Sequence, residues 1–450
     1  MATIIERFAD YSFSLSAAHF PEALIQSAVE AVIDTVGCGI AGSQTTVAEG
    51  VRRAMHIPVG PERSTLFGGQ ETGTLASAAF INATAAHALE LDDTDAKGFC
   101  HPGAVVVPAA LAVGETTSAS GIEVLTAIII GYEVSVRLAR WMNPAHRLRG
   151  FHTTATVPTV GAAATVARLR GMSSKDTASA MGIAASFASG TFEFVTSGSN
   201  LKRVHAGKAA SSAITSCDLA QHGVNGPLTA LEGKYGLYAS TAGEIQELLN
   251  LTDLGERFMI QEVGRKLYPC CRFCHTAIDA AIGLHESGIS LRDAERIEVI
   301  ASRLCCEQTD SKTPANELQR QFSTPYGVAL GLLRGAARLS DYRENPDAEA
   351  LELAQKVEMI IDSDLPVGDR AATVRISSGS NRIQQVRLDG PRGEPNDPIN
   401  GVELREKFAD LAASALPMAA VLELYELLSN LLTLTDMTDI YGLLRFNAEH

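Results

Sequence analysis

No stretch of the sequence comes near the roughly 20 consecutive apolar residues that a membrane span requires; the run Leu125–Ile130 is soon followed by Glu133 and Arg137. The amino terminus, Met1–Asp10, lacks both the basic start and the apolar run of a secretory signal. Basic residues are the minority, 37 against 52 acidic, and the net charge of −15 offers no global attraction to phosphate backbones or anionic lipid. The eight cysteines include two adjacent pairs, Cys270–Cys271 and Cys305–Cys306, and not the spaced framework of a secreted scaffold. No Gly-x-x-x-x-Gly-Lys-Ser/Thr loop occurs, no Gly-x-Gly-x-x-Gly follows a strand, and no fixed-period repeat is visible. A soluble cytoplasmic protein with reduced thiols is expected, with neither nucleic acid nor membrane as partner and no nucleotide cofactor.

A length of 450 residues allows two or three domains, and 46% apolar with 20% charged residues is an ordinary globular composition. The first two-thirds is rich in Ala and Gly and carries helical periodicity. From Pro21, Leu24, Ile25, Ala28, Val29, Val32, Ile33 and Val36 recur at three and four, with Gly37 and Gly39 closing the run. Similar patterns cover Leu75–Leu91, Ala104–Val113, Ile122–Trp141, Thr153–Leu169, Ser174–Phe187 and Ala206–His222. The period changes near Tyr268. Arg296–Ala301 and Ala372–Ile376 read as strands, and Gln384–Leu388 as a hairpin partner after the Ser378-Gly379-Ser380-Asn381 turn. Helical stretches Tyr326–Leu333 and Asp347–Ile361 lie between the strands, and Val402–Leu416 and Ala419–Leu432 follow a Pro-rich loop. The expected fold is mainly α: a large helical domain from residues 1–267 plus 398–450, with a smaller α+β lid domain, 268–397, inserted.

Five segments concentrate chemistry. Glu90-Leu91-Asp92-Asp93-Thr94-Asp95 leads to His101-Pro102 in a helix-to-helix loop, where carboxylates would raise and orient an imidazole suited to acid/base work. Its acidic groups lack the ligand spacing of a Ca²⁺ or Mg²⁺ site, so no metal is expected. In Gly150-Phe151-His152-Thr153-Thr154 a histidine stands at a helix mouth, with Thr153 or Thr154 as N-cap. Lys202, Arg203 and His205 follow a Gly-Ser-Asn turn and form a candidate carboxylate receptor. Tyr268-Pro269-Cys270-Cys271-Arg272-Phe273-Cys274-His275 offers a zinc half-site without a second ligand pair; His275 as a pocket histidine with Arg272 holding a carboxylate fits better. Tyr326 opens a helix after Phe322-Ser323-Thr324-Pro325. Read singly, each also fits a solvated loop, a cap or a core residue.

In this order the segments resemble the MmgE/PrpD family over nearly the whole chain: Asp92-Asp93-Thr94 with His101-Pro102, Gly150-Phe151-His152-x-Thr154, Lys202-x-x-His205-x-Gly207-x-Ala209-Ala210, Gly226-Pro227 with Leu231-Glu232-Gly233 and Gly236, Tyr268-Pro269-Cys270-Cys271 with His275 and Ile278-Asp279-Ala280-Ala281, and Ser323 with Tyr326. The resemblance implies an enzyme without organic cofactor acting on small polycarboxylates, a helical domain with an α+β lid, and a homodimer. It covers 2-methylcitrate dehydratases, cis-aconitate decarboxylases and iminodisuccinate epimerase. Carried over, it places Thr94, His101, His152, Lys202, His275 and Tyr326 at the site; with the residue reading, His101, His152, Lys202 and Tyr326 are expected to be catalytic and Thr94, Asp93, Arg272 and His275 to bind substrate.

Two departures stand out. Glu90 occupies a position where similar decarboxylases have Asp, and the spacing from Thr94 to His101 is one residue longer. Where comparable dehydratases carry an Asp after His-Pro, this sequence has the apolar Gly103-Ala104-Val105-Val106, which weakens the dehydratase reading. The expected activity makes or breaks a C–H bond near a carboxylate of a di- or tricarboxylate, by a decarboxylase-like lyase or an epimerase. A dehydratase is the alternative, and a non-catalytic polycarboxylate-binding protein is the alternative from another class.

Overall fold

The computed structural model describes residues 2–55, 63–289, 291, 294–343, 346–378 and 383–445. Helix Glu22–Gly42 illustrates how small residues shape it. The helix starts after Pro21 as expected but runs straight through Gly37 and Gly39. A Cβ at Gly39 would stand 2.6 Å from the Phe67 ring, and one at Gly42 only 1.9 Å from the carbonyl oxygen of Ala85. Neighbours approach so closely that only glycine fits, and packing overrides the roughly 1 kcal/mol propensity cost of each glycine. By length and composition this helix could also cross a membrane, which corrects the expectation that no stretch comes near such a span. Here it is a core helix, with Leu24, Val32, Ile33, Val36 and Ile40 buried.

Helices Leu75–Ala86, Gly103–Thr117, Gly121–Met142, Thr153–Leu169, Ser174–Phe187 and Lys202–Gln221 make up most of the larger, helical part. Their facing Ala and Val side chains form one core, closed at the amino terminus by Ile4, Ile5 and Phe8. Trp141, the only tryptophan, packs against Tyr238 and donates its indole N–H to the carbonyl of Glu247. A second core joins helix Glu22–Gly42 to Phe258, Ile260, Leu404, Phe408, Leu424 and Leu428. The helices Gly401–Ala412 and Met418–Ser429 therefore return to the amino-terminal helices after the sheet has been formed.

The first two strands, β1 (Arg63–Thr65) and β2 (Thr72–Thr74), form a small antiparallel pair that periodicity does not reveal. The main sheet comprises β3 (Ala294–Ala301), β4 (Val357–Ile361), β5 (Ala372–Ser378) and β6 (Ile383–Leu388) in the order β4-β3-β5-β6. β3 runs parallel to β4, with Val299 opposite Met359, and antiparallel to β5, with Val299 opposite Val374. β5 and β6 pair as the expected hairpin; Gly379, Ser380 and Asn381 of its turn lie outside the described residues. The stretch Asp347–Ile361 is helical only over Ala348–Ala354 and then becomes β4. Helices Arg272–Glu286 and Thr324–Arg334 cover the sheet, burying Phe273, Ala277, Ala281, Leu284 and Val328 against Ile297, Val299, Val374 and Ile376. Each large apolar side chain buried there contributes roughly 1.5–3 kcal/mol to holding the helical cover on the sheet.

Candidate active site

The site grows from the loop between helices Leu75–Ala86 and Gly103–Thr117. Two of its non-glycine residues, Glu90 (φ 58°) and Phe99 (φ 52°), adopt the left-handed conformation that side chains normally avoid. The loop is held there from several sides. Thr94 exchanges backbone hydrogen bonds with Gly264 (2.8 and 3.0 Å), and the Asp95 amide donates to the Cys100 carbonyl. Asp95 also accepts from Arg140 and from the Gly98 amide. Glu90 is buried between two cations: the Lys202 ammonium pairs with Oε1, while Lys266 donates to the Glu90 carbonyl at 2.9 Å and lies 3.4 Å from Oε2. Burial by itself would raise the Glu90 carboxyl; Lys202 and Lys266 overcome it and hold it below the usual carboxylate range.

Asp92 and Asp93 serve His101 in different ways. Asp92 Oδ2 lies 2.6 Å from His87 Nδ1 and 3.5 Å from His101 Nδ1, and these rings hold its carboxyl well below the ordinary value against the effect of burial. The Asp93 side chain turns inward, accepting from the Gly103 amide and from the Tyr132 hydroxyl; burial pushes it up to about 7. Its backbone carbonyl lies 2.7 Å from His101 Nδ1. A carbonyl only accepts, so Nδ1 carries the proton and Nε2 is left bare, ready to act as a base. Burial, only partly offset by Asp92, lowers the His101 pKa well below its usual value. Adjacent carboxylates therefore do not raise it, contrary to the sequence expectation; desolvation is the larger effect.

His152 caps helix Thr153–Leu169 through its backbone, and neither threonine acts as the N-cap; Thr154 Oγ1 instead accepts from the His101 amide. His152 Nδ1 lies 3.0 Å from His205 Nδ1. Burial and the nearby Lys202 keep His152 uncharged, and His205 is pushed down to about 4, chiefly by burial. The His87 ring sits between the other two, 5.0 Å from His101 and 5.8 Å from His152 between centroids. His87, Asp92 and His101 also present ligand atoms within 4.8 Å of one another, a spacing that a divalent ion accepts and that here serves a carboxylate between two rings.

These groups open into a cavity of about 480 Å³, including the space open to solvent. Thr94, His101 and His152 line it, with Lys202, Lys266, Arg147, Arg272 and Arg370 as cations and Glu90 as the only carboxylate among the described residues. Phe99, Phe192, Phe273 and Phe322 supply apolar wall. A pocket with this charge balance suits a small anion with several negative groups. Comparison with known families agrees. Residues 6–247 match the model of the MmgE/PrpD N-terminal domain and residues 268–431 that of the MmgE/PrpD C-terminal domain.

The chain belongs to the MmgE/PrpD family.

Its relatives include the cis-aconitate decarboxylase of Homo sapiens, 27% identical over 99% of this chain and 95% of that protein. The Mus musculus cis-aconitate decarboxylase is 26% identical over 99% and 94%. That of Aspergillus terreus is 25% identical over 96% and 94%. These relatives are named as decarboxylases, and the chain shares with its family a mainly helical build, here with a small mixed sheet. The C-terminal family model also spans helices Gly401–Ala412 and Met418–Ser429, which pack on helix Glu22–Gly42.

Within this MmgE/PrpD site, the fold brings together Thr94, His101, His152, Lys202 and Arg272, which lie far apart in sequence. Three expected residues stand elsewhere. The Asp93 carboxylate is spent on Gly103 and Tyr132 and positions the loop without facing the cavity. His275 is fully buried behind Arg272, its Nδ1 3.0 Å from the guanidinium and its Nε2 3.4 Å from the Cys270 carbonyl. Tyr326 is enclosed between helices; its hydroxyl donates to the Asp341 carbonyl, so it presents no phenol to the crevice. Ser323 explains that segment's pattern, since its hydroxyl accepts from the Tyr326 amide and caps the helix. Arg203 is likewise structural, tied to the Ala88 carbonyl, Glu317 and Gln321. Cys271 touches the cavity, but burial pushes its thiol up to about 11, so it offers no thiolate. Sequence reasoning missed Lys266, Arg147, Gln308 and Arg370, none of which belongs to a recognisable motif. Its place two residues before the Tyr268-Pro269 motif is the one signal that could have pointed toward Lys266.

Proposed function

We propose that this chain is a cofactor-independent lyase of a small di- or tricarboxylate, with decarboxylation of a cis-aconitate-like substrate as the best-supported reaction. One observation carries the reading: a histidine with a bare Nε2 shares a cavity with two lysines and three arginines, against a single carboxylate among the described residues. Breaking a bond to CO₂, or a C–H bond beside a carboxylate, leaves an electron pair that spreads onto carboxylate oxygens. Fixed cations in a site sheltered from water meet that charge where it develops. Lys202 and Arg272 bind and polarise the substrate carboxylates, and His101 and His152 move protons.

In decarboxylation the electron pair of the broken C–C bond shifts through the adjacent double bond, and the carbon at its far end takes one proton from an imidazole. The rings are uncharged in the empty site. A polycarboxylate entering beside them brings the negative charge that raises their proton affinity, so the proton arrives with the substrate. Arg272, Phe322 and Arg370 come from residues 268–397, and in this reading that part closes over the site as a lid. The run Gly103–Val106, buried at the start of its helix, offers no further carboxylate to assist departure of a hydroxyl group.

The test is NMR of cis-aconitate, 2-methylcitrate and iminodisuccinate with the enzyme in deuterated water. CO₂ release with deuterium in the product supports the decarboxylase. Exchange without loss of carbon would make the protein an epimerase, and loss of water a dehydratase. Tight calorimetric binding with no product from any of the three would leave a polycarboxylate-binding protein and overturn the lyase.

A further inference from the structure

The reading above assigns no task to Arg147, Gln308 and Arg370, although all three line the cavity. They come from different parts of the chain: Arg147 from the short helix Ala145–Leu148, Gln308 from helix Arg303–Thr309, and Arg370 from the connection between β4 and β5. Arg147 donates through Nη2 to Gln308 Oε1 at 2.6 Å, but its Nη1 is buried with no partner. Arg370 Nε and Nη1 are also buried without partners, and its Nη2 reaches only the Ala96 carbonyl at 3.3 Å. Among the described residues neither guanidinium has a carboxylate within ion-pair distance. Arg137, Arg140, Arg203 and Arg272 each do.

Both charges are also desolvated by aromatic rings, Arg147 over Phe192 and Arg370 over Phe273 at 3.6 Å. Burial, with Arg370 adding to the effect, lowers Arg147 to about 9. Two like charges whose buried donors are unfilled are costly unless something supplies the missing acceptor and counter-charge. The planar forks of two guanidiniums and the amide of Gln308 suit a carboxylate, whose two oxygens accept from several donors at once.

We propose that Arg147, Gln308 and Arg370 form a second carboxylate receptor in the cavity, which selects substrates carrying a carboxylate remote from the reacting carbon. This rests on the polycarboxylate reading and deepens it. The reacting end of the substrate lies by Lys202 and His101, and the remote carboxylate is held by one arginine of the helical part and one of the sheet-bearing part. Filling the receptor ties the two parts together. A substrate with a single carboxylate satisfies one end only and leaves the two arginines unpaired.

The experiment uses the full-length protein and propane-1,2,3-tricarboxylate, a saturated mimic of cis-aconitate, with butyrate as the single-carboxylate control. Gln308→Glu places an internal carboxylate against Arg147. It is expected to weaken tricarboxylate binding by about tenfold or more in calorimetry while raising the melting temperature of the ligand-free protein. Arg370→Met and Arg147→Met should raise KM for cis-aconitate by about tenfold or more with a much smaller change in kcat, and neither should lower the ligand-free melting temperature. In these variants the preference for the tricarboxylate over butyrate shrinks. Unchanged tricarboxylate affinity in Gln308→Glu and Arg370→Met would overturn the receptor and leave the lyase standing. A fall in melting temperature with affinity intact would identify the arginines as braces of the fold and overturn it equally. If the unmodified protein binds no polycarboxylate, the parent reading fails first.

Discussion

His101 shows how one side chain is prepared by its surroundings. The Asp93 carbonyl fixes its tautomer, Asp92 stands behind it, and burial keeps it uncharged. Replacing His101 or Lys202 by Ala should reduce turnover by about 10²-fold or more, the range for a lost acid/base or charge-stabilising group, as steady-state kinetics would show. Near-normal rates in either variant would remove that residue from the mechanism. Because the imidazoles of His101 and His152 start with lowered proton affinity, binding a polycarboxylate should take up protons near neutral pH, and affinity should strengthen as pH falls from 8 toward 6. Calorimetry of tricarboxylate binding in buffers of differing ionisation enthalpy measures that uptake directly; none would mean the rings do not sense the ligand. At this scale the sequence was informative where function is written as a local cluster, as in Asp92-Asp93-Thr94 with His101. It misled where the same letters serve the fold: Ser323 and Tyr326 spell a helix cap, and His275 a buried support for Arg272. Arg147 and Arg370 have no local pattern at all, because their shared purpose exists only once distant segments meet.

Among the elements, the Glu90–His101 loop is the one most dependent on its partners. Its left-handed Glu90 is held by two lysines that enter from the helix beginning at Lys202 and from the extended segment around Lys266. Glu90→Gln keeps the shape and removes the charge, leaving two buried ammonium groups facing each other. A loss of about 3 kcal/mol or more of stability in urea unfolding is expected, in line with breaking other buried ion pairs. A loss below about 1 kcal/mol would mean that water or another anion replaces the carboxylate. Helix Glu22–Gly42 depends instead on what is missing from it. Gly39→Ala should cost about 1–3 kcal/mol by forcing the Phe67 ring aside, although alanine is the better helix former. The helices of the first half were legible because their apolar positions recur at three and four over long runs. Their ends were less so, since Gly37 and Gly39 look like terminators until the partner surfaces are known. Asp347–Ile361 was misread for a related reason: Val357-Glu358-Met359-Ile360-Ile361 is too short for its period to be told from that of a helix.

The whole molecule hides an unusual set of imidazoles. His101, His146, His152, His205 and His275 all have proton affinities lowered by burial, while unfolding would return each to the ordinary value near 6.5. The unfolded chain thus binds more protons than the folded one below that pH, so stability falls as pH drops through 6.5 toward 4. The depressed carboxyls of Glu90 and Asp92 act in the same direction, their contribution disappearing as acid reaches and passes the ordinary carboxyl range. The raised carboxyls of Asp93, Asp95, Glu133 and Asp279 act the opposite way, since the folded chain takes up their protons first. The five imidazoles are expected to give a net fall in melting temperature between pH 6.5 and pH 4.5, and a rise over that interval would contradict the buried neutral histidines.

Trp141 gives the same molecule a built-in reporter. Its indole is lodged against Tyr238, in the helical part, and the sheet-bearing part contains no second one. Selective excitation of that fluorophore follows the helical part alone, so disagreement between its unfolding curve and the circular dichroism of the full chain would reveal whether the two cores melt as one cooperative unit or in succession.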